Sequence, residues 1–193
     1  MVSSQHADKR RRILRAAFEV FGELGYRKTT IQAIADRVGF TPGSLYNYFQ
    51  DKDDLFLASL SGVWDLFASA IDEAVDNQQI AFARRALDLF AQAEGLLRRA
   101  HSLLVGSFSS QTRRERHKQD LDRICAKLVP FFEEGRQGGL TLVPADAEQA
   151  FFHLRLLLAG SLWTLSLVEG PALDAEIGRL RSQYQRELEH LKP

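Results

Sequence analysis

Apolar residues recur every three or four positions along almost the whole chain, and strict alternation of apolar and polar residues is nearly absent. Such spacing collects apolar side chains on one face of each helix, so the pattern predicts an all-α protein. Glycine, proline and capping residues mark where the helices stop and start. The predicted helices cover residues 8–24, 31–38, 42–49, 51–75, 80–93, 94–108, 111–135, 145–168 and 173–191.

The first three predicted helices are short and closely spaced. Gly39 ends the second helix, Thr41 caps the third, and Pro42 occupies its first turn, where a missing N–H costs nothing. We therefore predict a three-helix N-terminal domain over residues 1–52. A larger helical domain follows over residues 53–193.

The second and third helices have the composition of a helix-turn-helix. Ala35 is small enough for two helices to cross closely, Gly39 suits the turn, and Leu45 and Phe49 give the third helix an apolar inner face. The outer face of that helix carries small and hydrogen-bonding side chains, which can approach base edges and phosphates in a DNA groove. The candidate DNA-binding residues are Thr30, Thr41, Pro42, Gly43, Ser44, Tyr46, Asn47, Tyr48 and Lys52.

The charge distribution agrees with a DNA-binding N-terminus. The chain as a whole has a formal net charge of zero. Residues 1–52 contain nine Lys and Arg against five Asp and Glu, a net charge of +4, and the remainder holds 16 against 20, a net charge of −4. A basic N-terminal part favours binding of a polyanion. The later basic run at residues 113–118 is interpreted as a solvated helix face.

The N-terminal segment resembles the DNA-binding domain of the TetR family of transcriptional regulators over about residues 8–57. One departure is Tyr48, where many members carry histidine. Tyrosine keeps a hydrogen-bonding tip, and which bases are read stays open. The matching residues are Thr30, Ile34-Ala35, Val38-Gly39, Gly43-Ser44-Leu45-Tyr46, Phe49, Lys52 and Asp54-Leu55.

The resemblance implies a homodimer that binds a small-molecule effector in its larger domain. For each candidate residue below, packing in the chain's own core is the alternative interpretation. The candidate pocket residues are Trp64, Phe67, Phe90, His101, Leu104, Phe108, Phe132 and Trp163. The candidate dimer-interface residues are Phe151, Leu154, Leu158, Leu162, Leu165, Ile177, Leu180, Tyr184 and Leu188.

Other classes of protein have little support in the sequence. Nucleophile-elbow, phosphate-loop and zinc-protease motifs are absent, the histidines are scattered, and Cys125 is the only cysteine. We therefore expect no enzyme activity, no cofactor and no metal site. Without an apolar signal segment or a long apolar run, a cytoplasmic protein with no membrane partner is expected. The sequence favours a ligand-responsive repressor that binds a near-palindromic operator; ligand-independent DNA binding, a helical adaptor or an enzyme without a recognisable motif remain the alternatives.

Overall fold

The computed structural model describes residues 2–140 and 146–189, and within them every regular element is helical. This confirms the prediction of an all-α protein in which a helix-turn-helix is followed by a larger helical region. The eight helices of the described residues are α1 (Val2–Lys28), α2 (Ile31–Val38), α3 (Pro42–Tyr46), α4 (Lys52–Asp76), α5 (Phe82–Ser107), α6 (Gln111–Gln137), α7 (Ala147–Ser166) and α8 (Gly170–Glu189).

Several helix boundaries differ from the prediction. Residues 80–93 and 94–108 were predicted as two helices, but α5 runs without a break from Phe82 to Ser107. The only helix breaker at that junction is Gly95, and a single glycine inside a helix costs only about 1 kcal/mol. Asp8 does not begin α1, which starts earlier; its carboxylate pairs instead with Arg11 in the next turn.

The ends of the other helices follow local backbone chemistry. Gly25 has φ 71° and ψ 164°, so it interrupts α1 at the predicted stop although the assigned helix continues to Lys28. Asp146 caps α7 by accepting a hydrogen bond from the N–H of Gln149. The predicted start of this helix at Ala145 and the predicted end of the last helix at Leu191 lie outside the described residues.

The helices group into two compact units. The first contains Met1–Val63 and Arg99–Arg116, and the second contains Trp64–Arg98 and His117–Pro193. Residues 99–116 therefore pack with the helix-turn-helix, which spacing along the chain did not indicate. The assignment of DNA binding to residues 1–52 and of effector binding and dimerisation to residues 53–193 stays a prediction.

The core of the first unit is built on the buried stripe of α1. Phe21 meets Phe56 of α4 edge to face at 5.0 Å, and Tyr26 meets the same ring at 5.2 Å. Gly106 of α5 lies against these rings, because a Cβ at that position would be 3.0 Å from the tip of Phe56. The fully buried large side chains of this unit are Ile13, Phe21, Ile34, Leu45, Leu55, Phe56, Leu60 and Leu103.

The second unit combines an apolar core with a buried arginine. Arg85, 4% exposed, donates to the backbone carbonyls of Ala74 and Ile80 and pairs with Glu134 of α6. These bonds join the end of α4, the following turn and α6 through one guanidinium. Gly135 lies beside the Phe82 ring so closely that a Cβ would collide with it. Cys125 is fully buried, and burial raises the pKa of its thiol to about 11, which leaves the thiol unreactive.

Among the described helices, α4 is long and apolar enough to cross a membrane by length and composition. Its large apolar residues Leu55, Phe56, Leu60 and Ile71 are instead buried in the protein core. It also carries acidic side chains that pair with arginine or lysine residues of α6. These features are those of a core helix.

Candidate nucleic-acid interface

The turn between α2 and α3 is defined by backbone hydrogen bonds. Thr30 caps α2 by accepting a 3.1 Å hydrogen bond from the N–H of Ala33. At the other end, Gly39 adopts the left-handed conformation with φ 75° and ψ 35°. The N–H of Phe40 then donates to the carbonyl of Ala35 at 2.9 Å. This is a glycine-dependent helix end that turns the chain directly into α3.

Helix α3 is short and firmly capped. The Thr41 hydroxyl accepts from the N–H of Ser44 at 3.2 Å and also pairs with the Ser44 hydroxyl at 2.9 Å. Regular helix ends at Tyr46 rather than at the predicted Phe49. Two further N–H groups, those of Tyr48 and Phe49, still donate to the Leu45 carbonyl, so the chain continues as a tight turn.

The two faces of the α3 segment differ in exposure. Leu45 and Phe49 are buried in the first unit, as their apolar character predicts. The side chain of Tyr46 is instead 54% exposed. The exposed candidates are Thr30, Thr41, Gly43, Tyr46 and Asn47, and the half-buried ones are Pro42, Ser44, Tyr48 and Lys52. Their role in DNA binding stays a prediction, which this exposure supports.

The ammonium group of Lys52 is bonded to groups inside the protein, although a phosphate contact was predicted for it. Its ammonium donates to the carbonyls of Tyr26 at 3.1 Å and Thr29 at 3.0 Å, and it lies 4.3 Å from the centre of the Tyr26 ring. Two of its three N–H donors are therefore used inside the protein. The structure gives Lys52 a positioning role between α1 and α4, beside the phosphate contact that remains predicted for it.

Arg113 of α6 completes this junction, and sequence reasoning missed it. The interpretation of residues 113–118 as a solvated face is wrong for Arg113 and His117, which are both 5% exposed. The Arg113 guanidinium carbon lies 3.8 Å from the centre of the Tyr26 ring, and Nη1 donates to Asp53 at 2.6 Å. Burial and the hydrogen bond to Asp53 raise the pKa of the Tyr26 hydroxyl. Only the packing of residues 99–116 with the helix-turn-helix reveals these contacts.

Other arginines brace the outside of the helix-turn-helix. Arg37 of α2 forms paired hydrogen bonds to Glu23 at 2.9 and 2.6 Å, and a longer one to Glu19. The hydrogen bond from Arg37 lowers the pKa of Glu23. Arg12 donates to the carbonyl of Val38, the last residue of α2, and covers the Phe40 ring. These contacts hold the turn between α2 and α3 against α1.

The candidate pocket residues divide between the two units. His101, Leu104 and Phe108 belong to the first unit, and the other five belong to the second. In the second unit, Trp64 is buried, and its indole N–H has no hydrogen-bond acceptor. Trp163 is 55% exposed, so it does not line an enclosed space within this chain. The pocket therefore stays a prediction.

The predicted dimer-interface residues differ in their exposure within this chain, and their role stays a prediction. Five of them are already buried in the chain's own core, namely Leu154, Leu162, Leu165, Ile177 and Leu188. Phe151, Leu158 and Leu180 are half-buried, and the side chain of Tyr184 lies outside the described residues. The apolar residues that α7 and its end expose are Phe152, Leu156, Leu157, Trp163 and Leu167. Because α7 is apolar around most of its circumference, periodicity did not identify its outer face.

A shallow groove runs along this exposed face between α7 and α8. Its volume is about 300 Å³, and it is lined chiefly by Leu156, Leu157, Gly160 and Leu180. Elsewhere on α7, Arg155 pairs with Asp122 of α6 at 2.9 Å, so this charge within a leucine-rich helix is structural.

A capped, exposed α3 that follows a glycine turn defines the class of helix-turn-helix DNA-binding regulators. Residues 13–59 match the sequence model described as bacterial regulatory proteins, tetR family. Residues 13–59 therefore carry the DNA-binding region of this family of transcriptional regulators.

Individual relatives agree with this assignment. The HTH-type transcriptional regulator HbdR of Aromatoleum sp. (strain CIB) is 36% identical over 70 residues, which cover 36% of this chain but only 31% of that relative. Two solved structures share the fold over nearly the whole chain. FadR of Bacillus subtilis in complex with stearoyl-CoA has a TM-score of 0.67 at 20% identity, covering 92% of this chain and 96% of that one. A transcriptional regulator of Saccharomonospora viridis in complex with choline has a TM-score of 0.69 at 23% identity, covering 97% of this chain and all of that one.

Proposed function

We propose that this protein is a cytoplasmic repressor that binds a near-palindromic operator as a homodimer and is released by a small, mostly apolar effector. The proposal includes no catalytic step. Its main support is the surface of α3 and its C-cap, where Gly43, Tyr46 and Asn47 are exposed on a segment that Thr41 caps and Leu45 anchors.

The α3 surface suits two kinds of DNA contact. Gly43 and Ser44 permit close approach of the backbone to the groove, and the side chains of Ser44 and Asn47 can hydrogen-bond base edges. The hydroxyl groups of Tyr46 and Tyr48 can reach phosphate oxygens and so fix the register of the helix on the duplex. A dimer would place two such helices in successive major-groove faces, which matches a two-fold symmetric operator.

The exposed apolar face of α7 supports the homodimer. Phe152, Leu156, Trp163 and Leu167 lie four, seven and four positions apart, which is one face of a helix. Gly160 lies on the same face and opens the groove next to α8. A helix face with this much exposed apolar surface favours burial against another protein surface, and a second copy of the chain is a self-complementary partner for it.

We propose that the effector binds in the interior of the second unit. Its core is apolar, and burial lowers the pKa of His117 to about 4, so this environment favours uncharged groups. The buried indole N–H of Trp64 can donate a hydrogen bond to an acceptor on such a ligand. The two similar structures contain chemically different ligands, stearoyl-CoA and choline. The fold alone therefore does not select the effector, and the residues of the interior must do so.

In vitro selection from random duplex DNA, followed by hydroxyl-radical footprinting, tests the DNA-binding step. The expected result is an enriched near-palindrome with two protected half-sites about one helical turn apart. Small-angle scattering of the complex should show two chains for each duplex. Failure to enrich any duplex would instead support a helical adaptor.

A ligand screen against the selected duplex tests the effector step. Ligand and DNA should bind antagonistically, because linkage requires each to weaken the other by the same factor. Thermal-shift screening of apolar compounds identifies candidates, and anisotropy with the labelled duplex then measures release. DNA affinity that no stabilising compound changes would support a ligand-independent DNA-binding protein.

A further inference from the structure

In the N-terminal turns of α1, polar side chains lie on the same helix face as the buried core residues further along. Ile13 and Ala17 are buried in the first unit on this face. Arg10 lies three residues before Ile13, and His6 lies four residues before Arg10, so both continue the same helical stripe. Both are exposed. The face that packs against the helix-turn-helix is therefore apolar where protein covers it and polar beyond that core.

Both residues contact the segment that follows α3. The imidazole of His6 lies 4.5 Å from the Tyr48 ring, measured between centroids, with the planes tilted by 31°. The guanidinium carbon of Arg10 lies 5.0 Å from the centre of the Phe49 ring. Tyr48 is one of the candidate DNA-binding residues, so the His6–Arg10 face is continuous with the α3 surface.

The chemistry of this face suits a phosphodiester backbone. Five basic residues lie between positions 9 and 15, all of them exposed, and Asp8, which pairs with Arg11, is the only nearby acid in the segment. A guanidinium that lies over an aromatic ring keeps its N–H groups in its own plane, where they can bind phosphate oxygens. An imidazole N–H is a further donor that can reach the same strand.

We infer that the His6–Arg10 face of α1 is a second DNA-binding surface, which binds the sugar–phosphate backbone next to the groove occupied by α3. Arg10 binds a phosphate, and His6 donates to the same strand while it supports the Tyr48 ring. This inference rests on the proposed function, because it adds backbone contacts to a duplex that α3 reads. The supporting observations are the two ring contacts, the charge of the segment and its continuity with α3.

The salt dependence of DNA binding tests the role of Arg10. Affinity of the full-length protein for its selected duplex is measured by fluorescence anisotropy at several KCl concentrations. Each lost phosphate contact lowers the slope of log K against log salt by about 0.9. Arg10→Gln should show this loss, and Arg10→Lys should retain the slope. Arg15→Gln is the matched control, because Arg15 is an exposed arginine of the same helix about 180° away from His6.

Conservative substitution tests the role of His6. His6→Phe keeps a ring beside Tyr48 but removes the N–H donor, and it should weaken binding about fivefold, the effect of one lost hydrogen bond. Unchanged affinity in His6→Phe would overturn the contact assigned to His6. Equal slopes for Arg10→Gln and Arg15→Gln would overturn the phosphate site. Neither outcome resembles failure of the proposed function, in which the wild-type protein would enrich no duplex.

Discussion

The guanidinium of Arg113 lies against the ring of Tyr26, with its central carbon 3.8 Å from the ring centre, while Lys52 approaches the same ring at 4.3 Å. Asp53 accepts a hydrogen bond from Arg113 at 2.6 Å. Residues from α1, α4 and α6 thus meet at one aromatic side chain immediately before the helix-turn-helix. The contacts of this aromatic side chain therefore depend on a residue more than 60 positions downstream of α3.

Replacing Arg113 with methionine should lower the free energy of unfolding by about 2 kcal/mol. The change removes a cation–π contact and a partly buried ion pair but keeps an apolar side chain of similar length. The loss is smaller than for a fully buried pair because the Asp53 side chain is 52% exposed and water can solvate it. Urea denaturation followed by circular dichroism measures the effect. Arg114→Met is the control, since Arg114 is an exposed neighbour, and an equal loss in both variants would contradict the prediction.

The Thr41 cap should control the stability of α3. Thr41→Val keeps the shape of the side chain but removes the hydroxyl acceptor, so the Ser44 N–H keeps only its bond to the Thr41 carbonyl. Loss of such a capping side chain costs about 1 kcal/mol. A helix this short has few other stabilising bonds, so we expect weaker binding to the selected duplex as well. Thr41→Ser retains the hydroxyl and should bind nearly as the wild type does. Anisotropy titration compares the three proteins, and wild-type affinity in Thr41→Val would argue against dependence on the cap.

Tyr46 and Lys52 should respond differently to substitution. Tyr46→Phe removes an exposed hydroxyl, so it should weaken DNA binding by about 1 kcal/mol while the free energy of unfolding stays unchanged. Lys52→Met removes two hydrogen bonds to backbone carbonyls and should lower stability by about 1–2 kcal/mol in addition to weakening DNA binding. Paired denaturation and anisotropy measurements separate the two effects. A fully stable Lys52→Met protein would show that the internal bonds contribute little.

Charge on the exposed face of α7 should prevent dimerisation. Leu156 is 74% exposed and lines the groove, so Leu156→Glu would place a carboxylate in an apolar interface without a partner. Sedimentation velocity should then show a monomer, and affinity for the palindromic duplex should fall steeply. Leu66→Glu, at another exposed leucine on α4, should leave the oligomeric state unchanged. A Leu156→Glu protein that still sediments as a dimer would place the interface elsewhere.

Burial of His117 should make the protein sensitive to mild acid. The pKa of a histidine in an unfolded chain is about 6.5, and burial lowers that of folded His117 to about 4. Above pH 6.5 both states are neutral and His117 contributes nothing to the pH dependence. As pH falls from 6.5 towards 4, the unfolded chain binds a proton that the folded one excludes, so stability decreases by about 2 kcal/mol at pH 5.

His117→Phe should remove this component of the acid loss while it keeps a ring beside Trp64. Denaturation curves at several pH values give the difference in unfolding free energy between the two proteins. The contribution of the carboxylates cancels in this difference, because both proteins contain them. Parallel pH profiles for the wild type and the variant would mean that the pKa of folded His117 equals its unfolded value of about 6.5.

Much of the helix-turn-helix was predictable from local sequence. The Thr30 and Thr41 caps, the left-handed Gly39 and the buried Leu45 and Phe49 each depend on residues within a few positions. The same is true of the helical class of the whole chain, since spacing and capping act over one or two turns. Even the stripe that ends in Arg10 and His6 is visible in the 3.6-residue period of α1. Its significance was missed because the contacts to Tyr48 and Phe49 are tertiary.

The sequence by itself determined the helices, the turn between α2 and α3, and the family resemblance, because these depend on the order of neighbouring residues. Tertiary structure alone decided which of several apolar faces of α7 is covered, and it buried Arg113 and His117 within a run that reads as solvent-exposed. It also directed the Lys52 ammonium to the carbonyls of Tyr26 and Thr29. The physical reason is that burial and pairing depend on distant segments packed nearby, whereas helix periodicity records only which residues share a face.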